Sequence, residues 1–234
     1  MVTMRLVEAR SYRALSNESR LRILRILRRG AKSIKEISED TGLRPVSVRH
    51  HLLQLGEVGL VSTFESRTGN VGRPKTFYEI TRDSSAISYP KRNYLKLSKI
   101  LVRSMLERLG ERETRSELRK AAKEIGRKTV RRLSAEHFID RWTLQHFVEV
   151  FVEKFLEEAG AEPDLIEVDE DRVVFRIHNC MFYELASLVP EIICDEMDNT
   201  VYKEMCLAMG DQWRVSRAKC MAHGDAYCEY VVAA

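Results

Sequence analysis

Ser33-Ile-Lys-Glu-Ile-Ser-Glu-Asp-Thr-Gly-Leu-Arg-Pro-Val-Ser-Val-Arg-His-His-Leu-Leu-Gln-Leu55 reads as two short helices joined by a tight turn. Ser33 stands as an N-cap and Glu36 follows three residues on, the reciprocal pattern of a capping box. Ile34 and Ile37 face inward, and Gly42 supplies the residue that most readily takes the left-handed conformation at a helix C-terminus. The second helix runs from Arg44 to about Leu55. Pro45 is acceptable in its first turn, where no intrahelical bond needs the missing N–H. Val48, Leu52 and Leu55 make one apolar face. This order is that of a helix-turn-helix, whose second helix enters the major groove of DNA. Arg44, Ser47, Arg49 and His50 fall off the apolar stripe, where base edges or phosphates can meet them, whereas His51 also fits a partly buried core position.

The flanks extend the same unit. Residues 5 to 30 carry Leu6, Ala9, Tyr12 and Leu15, then Leu21, Ile23, Leu24, Ile26 and Leu27 at helical spacing, with Asn17 as an N-cap between two helices and Gly30 as a stop. Leu60 to Glu65 and Phe77 to Thr81 alternate as strands, and Thr68-Gly-Asn-Val-Gly-Arg-Pro-Lys75 lies between them with the residues of a hairpin tip. A hairpin after a recognition helix is the wing of a winged helix, and Arg67, Arg73 and Lys75 are its expected phosphate or minor-groove contacts. Asp83 to Pro90 reads as a linker.

Charge is segregated along the chain. The net +4 of the whole conceals 16 Lys/Arg against 8 Asp/Glu in residues 1 to 82, 15 against 6 in residues 83 to 133, and 8 against 21 in residues 134 to 234. A basic front half suits a polyanion, because each cation that meets a phosphate releases condensed counterions. Apolar runs are too short to span a bilayer and Met1 opens no signal pattern, so a cytoplasmic protein without membrane contact is expected. No nucleophile and base pair, phosphate-cradling glycine loop or paired carboxylates appear in a catalytic context, so no enzyme is expected.

Residues 91 to 133 read as two charged helices broken at Gly110, with Leu95, Leu97, Ile100, Leu101, Met105 and Leu109 apolar in the first. Such a narrow stripe serves as a spacer or packs against a partner subunit. A longer helix is expected from Ser134 to about Ala159, its apolar face including Phe138, Trp142, Phe147, Phe151 and Phe155. Strands Leu165 to Val168 and Arg172 to Ile177, helices Phe182 to Val189 and Glu191 to Met209, and strands Trp213 to Ala218 and Tyr227 to Val232 complete the chain. The expected class is α+β, with a winged helix-turn-helix over 1–82, a helical linker and possible dimerisation region over 83–133, and an α+β sensor domain over 134–234.

All five cysteines fall after residue 179. Cys180, Cys194, Cys220 and Cys228 come from the ends of separate elements, and Cys220-Met-Ala-His-Gly-Asp-Ala-Tyr-Cys228 closes on a Gly224-Asp225 turn. The tight C-x2-C pairs of zinc ribbons are missing, and so is a ferredoxin run. Four thiolates complete either a zinc site or an iron–sulfur cluster, and a reversible dithiol–disulfide switch is a further use. Cys206, inside a helix beside Met205 and Leu207, reads as a buried inert thiol. His223 is a reserve ligand.

Two stretches carry family likenesses. Ala14-Leu-Ser-Asn-Glu-Ser-Arg-Leu-Arg-Ile-Leu24 and Val71-Gly-Arg-Pro-Lys-Thr-Phe-Tyr78 resemble winged-helix regulators of the ArsR and DeoR type. His178-Asn-Cys-Met-Phe-Tyr-Glu-Leu-Ala186, Pro190-Glu-Ile-Ile-Cys194 and Cys220 to Tyr230 look like the C-terminal half of the Suf-operon repressor family. That resemblance implies a homodimer that binds a double-stranded DNA operator, a 4Fe–4S cluster on Cys180, Cys194, Cys220 and Cys228, and repression set by iron–sulfur or redox status. The ending Cys-x3-Gly-Asp-x2-Cys-Glu-Tyr also resembles the 4-vinyl reductase type of ligand-binding domain. Zinc-binding members of that type imply zinc on Cys194, Cys220 and Cys228; their glutamate ligand is replaced by Arg217, which leaves Cys180 as the fourth donor.

Overall fold

The computed structural model describes residues 10–66, 74–81 and 92–234, which form two compact units, one ending at Arg92 and one beginning at Asn93. Arg67 and Arg73, Leu6 and Ala9, and the 83–90 linker lie outside the described residues.

In the first unit, helix α1 (Glu18–Arg28) starts at Asn17, whose side chain accepts from the Arg20 N–H. Helix α2 (Ile34–Thr41) carries the complete capping box of Ser33 and Glu36 and ends on Gly42 at φ 70°. Helix α3 (Pro45–Glu57) follows after a three-residue turn, and β1 (Val61–Ser66) pairs antiparallel with β2 (Lys75–Ile80) from Val61↔Ile80 to Ser66↔Lys75. A bridge from Lys32 to Tyr78 fastens the hairpin to the helical part. Ile23, Leu27, Ile37, Val48, Leu52 and Leu55 make the core, as their spacing requires. Arg20 ties α1 to α3: its guanidinium donates to the Ala14 and Arg13 carbonyls and to Gln54 Oε1. Tyr12 and Leu21, expected on the inner stripe, are exposed at its edge.

The second unit contains a four-stranded antiparallel sheet in the order β3 (Pro163–Val168), β4 (Arg172–Ile177), β6 (Cys228–Ala233), β5 (Arg214–Lys219). Alternation puts Val173, Phe175 and Ile177 of β4, and Cys228, Tyr230 and Val232 of β6, in the core with the helices. On the other parity Asp164, Arg176, Glu229 and Lys219 lie in register as a row of alternating charge.

Helix α4 (Tyr94–Glu136) consists of two arms that meet at Gly110, where φ 77° and ψ 168° interrupt the helical path. Residues 93–133 of the expected helical linker fall within this unit. Thr114, Ala122, Gly126, Val130 and Leu133 are buried, and the helix lies against α7, which runs as a π-helical segment Glu191–Asp198 and then as α-helix Asn199–Met209. A Cβ on Gly126 would stand 2.7 Å from the Val201 carbonyl oxygen, so glycine sets how closely α4 and α7 approach. Glu204 of α7, buried, is met by Arg127 at 2.9 Å and Lys123 at 3.6 Å.

The helix expected from Ser134 to Ala159 does not exist as one piece. Helix α4 stops at Glu136, and Phe138 adopts φ 54° while the Ile139 N–H donates back to the Ser134 carbonyl at 2.9 Å. That is the 6→1 bond of a Schellman cap, with phenylalanine in the left-handed position usually held by glycine. Phe138 is 92% exposed and contributes nothing to the core it was assigned to. Trp142 is buried in the connection, its indole N–H donating to Ser134 Oγ. Thr143 then caps helix α5, Leu144–His146 running on as a π-helical stretch Phe147–Leu156 that fills the core with Phe147, Phe151 and Leu156. A one-turn helix, α6 (Tyr183–Ala186), separates β4 from α7.

Candidate functional site

The four singled-out cysteines lie on four separate stretches of the second unit. Cys180 lies in the turn after β4, its carbonyl accepting from the Tyr183 N–H, and the preceding Asn179 is held by Gly160 and Ala161. Cys194 sits in the π-helical part of α7, Cys220 directly after β5, and Cys228 at the first position of β6. Between the last two, Gly224 at φ 102° and Asp225 close the loop: the Asp225 carboxylate accepts from the Cys220 N–H at 2.8 Å, and the Met221 N–H points to Cys228 Sγ at 3.4 Å. Burial raises the Cys194 and Cys228 thiols, and the charges of Cys220 and then Cys180 act on both in the same direction. Cys206 lies in the same core, with burial alone acting on its thiol.

All five are free thiols. Burial pushes Cys180 up to about 11 and Cys228 up to about 12, and it drives Cys194 higher still, Cys220 beside it adding to the rise. These three are protonated at neutral pH, which makes them weak nucleophiles without a charge partner. Metal binding must therefore displace protons from them.

Around the thiols lies a polar network that the sequence analysis missed. Arg217 of β5 donates to the Cys194 carbonyl at 2.9 Å and to Asp195, and it reaches Asp198 at 3.7 Å. The Tyr230 hydroxyl donates to Asp198 at 3.0 Å, and Tyr202 stacks on Tyr230 with ring centroids 4.4 Å apart. Burial lifts the Asp198 carboxyl to about 6, with Tyr230 and Arg217 pulling the other way. His223, the reserve ligand, is engaged by Asp195 at 3.1 Å. A signal for two of these residues was present. Asp198 is one helical turn beyond Cys194, and Tyr230 is two residues beyond Cys228 on the same strand face.

The donor set bears on which group it fits. A tetrahedral zinc needs sulfurs about 3.8 Å apart, from Zn–S bonds of about 2.3 Å. Among the described residues no three His, Cys, Asp or Glu side chains stand ready to hold a metal ion. A polynuclear cluster, in which each iron takes its own thiolate, spreads its ligands more widely. Cys180, Cys194, Cys220 and Cys228 offer four thiolate donors, the number and type that such a cluster takes.

At α3 of the first unit the N-cap Arg44 is exposed, as are Arg49 and His50 on the helix, and Ser47 is half-buried. The first turn of α3 carries no acidic residue, whereas α1 and α2 each carry one. His51 is half-buried, and burial, then Arg20 and His50, depress its basicity. Lys75 lies 3.3 Å from Glu36 and 5.0 Å from the centre of the Phe77 ring, so a phosphate at this position would compete with an existing ion pair. Among the described residues no helix is long and apolar enough to cross a membrane.

Comparison with known proteins divides along the same line as the fold. Residues 17–63 match the family described as bacterial regulatory protein, arsR family. Residues 91–232 match the family described as L-2-amino-thiazoline-4-carboxylic acid hydrolase. Among solved structures, the homodimeric winged helix-turn-helix DNA-binding domain (fragment 1–100) of a possible ArsR-family transcriptional regulator from Mycobacterium bovis is similar at 23% identity, covering 45% of this chain and 86% of that one with a TM-score of 0.30. No curated protein matches.

Proposed function

This chain belongs to the L-2-amino-thiazoline-4-carboxylic acid hydrolase family and carries an ArsR-family winged helix-turn-helix ahead of that match, and we propose that it is a transcription regulator whose DNA affinity is set by an iron–sulfur cluster on Cys180, Cys194, Cys220 and Cys228. The support for this reading is that Cys180, Cys194, Cys220 and Cys228, on four separate stretches of the chain, act electrostatically on one another, whereas burial alone acts on Cys206. When bound, the cluster would supply an iron- and oxidant-sensitive cross-link among those elements. The chain's own residues then carry the consequence. Cys194 is on the segment of α7 that α4 grips through Arg119 to Glu196 and through Arg115 to the Glu191 carbonyl. Any shift of Cys194 therefore loads α4, the element that follows the DNA-reading unit in the chain.

The regulator acts as a homodimer in this reading, one recognition helix per half-site, with half-sites about 34 Å apart or a multiple of it. Repression while loaded follows the likeness to the Suf-operon repressor family. The hydrolase family description supports a second reading, in which the second unit binds a small molecule beside Tyr202, Asp198 and Tyr230 and the thiols hold zinc or form a disulfide.

Anaerobic purification of the full chain, with iron, sulfide and zinc assayed per chain, separates these readings. Iron and sulfide in near-equal amounts are expected, and stripping them should change duplex affinity roughly tenfold. Zinc without sulfide moves the assignment to the second reading. A chain that takes up neither iron nor sulfide after anaerobic reconstitution, or whose duplex affinity ignores their removal, overturns the proposal.

A further inference from the structure

The outward face of α3 is not uniformly polar. Helix geometry of about 100° per residue places Val46, Arg49, His50 and Leu53 in one sector, opposite the buried Val48, Leu52 and Leu55. Val46 is 79% exposed and Leu53 is 62% exposed. Val46 has no role in the core, yet it sits at the N-terminal end of the helix, the end that meets base edges in a helix-turn-helix. Its neighbours there, Arg44 and Arg49, are exposed cations, and no acidic side chain occupies the first turn. The surface therefore suits DNA, with one aliphatic group set among hydrogen-bonding and cationic ones.

We infer that Val46 reads the 5-methyl group of a thymine in the major groove, making it a specificity residue of this helix. This rests on the DNA-binding reading of the first unit. An isopropyl group neither donates nor accepts a hydrogen bond, so it cannot read guanine, adenine or cytosine through their polar edges. Thymine alone presents a methyl group in that groove. Arg44 and Arg49 hold the helix against phosphates or neighbouring bases, and Val46 supplies the apolar contact. Leu53, seven residues on and about 10 Å further along the axis, lies too far away to serve the same base.

The test uses the full chain and duplexes selected by it from a random library at fixed salt. Each thymine is replaced in turn by deoxyuridine, which removes only the methyl group. Wild-type protein should lose about fourfold in affinity at one thymine per half-site, the worth of burying one methyl-sized group. Val46→Ala should bind the thymine duplex about fourfold more weakly and lose its response to deoxyuridine at that position. Leu53→Ala should keep that response. Indifference of the wild-type chain to every replacement overturns the inference while leaving DNA binding intact, and it needs no variant to fold. A Val46→Ala chain with the full methyl response overturns it equally. If no duplex is selected and no salt-dependent binding is seen, the DNA-binding reading fails and this inference fails with it.

Discussion

Replacing Phe138 by glycine should stabilise the second unit. The residue occupies the left-handed position of the cap that ends α4, at φ 54°. A side chain there costs about 1–2 kcal/mol against glycine, from the clash of Cβ with the following carbonyl. Glycine gives back part of this through the greater freedom of the unfolded chain, about 0.4–1 kcal/mol. The phenyl ring is 92% exposed, so its removal forfeits no packing. The net gain is about 0.5–1 kcal/mol, or roughly 2–4 °C for a unit of this size. Both tryptophans of the chain, Trp142 and Trp213, are buried in the second unit, so a urea titration followed by tryptophan fluorescence reports that unit alone. Phe138→Ala, which keeps the strained Cβ and loses the ring, separates backbone relief from side-chain loss and should leave the midpoint nearly unchanged. A Phe138→Gly chain that unfolds at lower urea refutes the reasoning, because the ring would then have to be making contacts worth more than the strain.

Gly126→Ala should move the same fluorescence midpoint the other way: the new Cβ would lie 2.7 Å from the Val201 carbonyl and 3.2 Å from the Met205 nitrogen, an overpacking of about 1–3 kcal/mol against roughly 1 kcal/mol gained in helix propensity. A stabilised variant would show that α4 and α7 separate without cost. In the first unit Ser33→Ala should lose about 1 kcal/mol by far-ultraviolet circular dichroism, since Ser33 caps α2. The same cap sets an acid dependence. Hydrogen bonds from Ser33, with Lys75 assisting, hold the Glu36 carboxyl at about 2 against an ordinary 4.5, so its contribution is full above pH 4.5 and is lost as pH falls towards 2. Glu36→Gln should flatten that part of the pH profile, and an unchanged profile counts against the cap. Cys220→Ser and Cys228→Ser should abolish retention of iron and sulfide after anaerobic purification, whereas Cys206→Ser should preserve it; a Cys228→Ser chain with undiminished iron refutes the ligand set. Arg49→Ala should lower the slope of log affinity against log salt by about 1 without changing iron content.

Local patterns were legible wherever the signal is short-ranged. The capping box of Ser33 and Glu36, the inner stripe Val48, Leu52 and Leu55, the break at Gly110, and the strand over 172–177 depend on neighbours within a few residues, and each stands where its spacing puts it. The 134–159 stretch failed for an instructive reason. Phe138 and Trp142 are four residues apart and sustain a helical period across a chain reversal, so the period cannot detect a cap whose left-handed residue is a phenylalanine. The dense charge of α4 likewise reads as a solvated spacer. Glu204, on a distant helix, meets Arg127 and Lys123, and Gly126 lets the two backbones close.

What the sequence alone determined is the chemistry available: a basic helix-turn-helix, four cysteines at the ends of separate elements, and a Gly224-Asp225 turn between two of them. Only the tertiary structure decided which groups act on these thiols, that burial alone acts on Cys206, and that Arg217 of β5 ties Asp195 and Asp198 of α7 into one network. The physical reason is separation along the chain. Cys194 and Cys220 have twenty-five residues between them, and only the packing of α7 on a sheet that pairs β5 with β6 couples their surroundings, Arg217 of β5 donating to the Cys194 carbonyl.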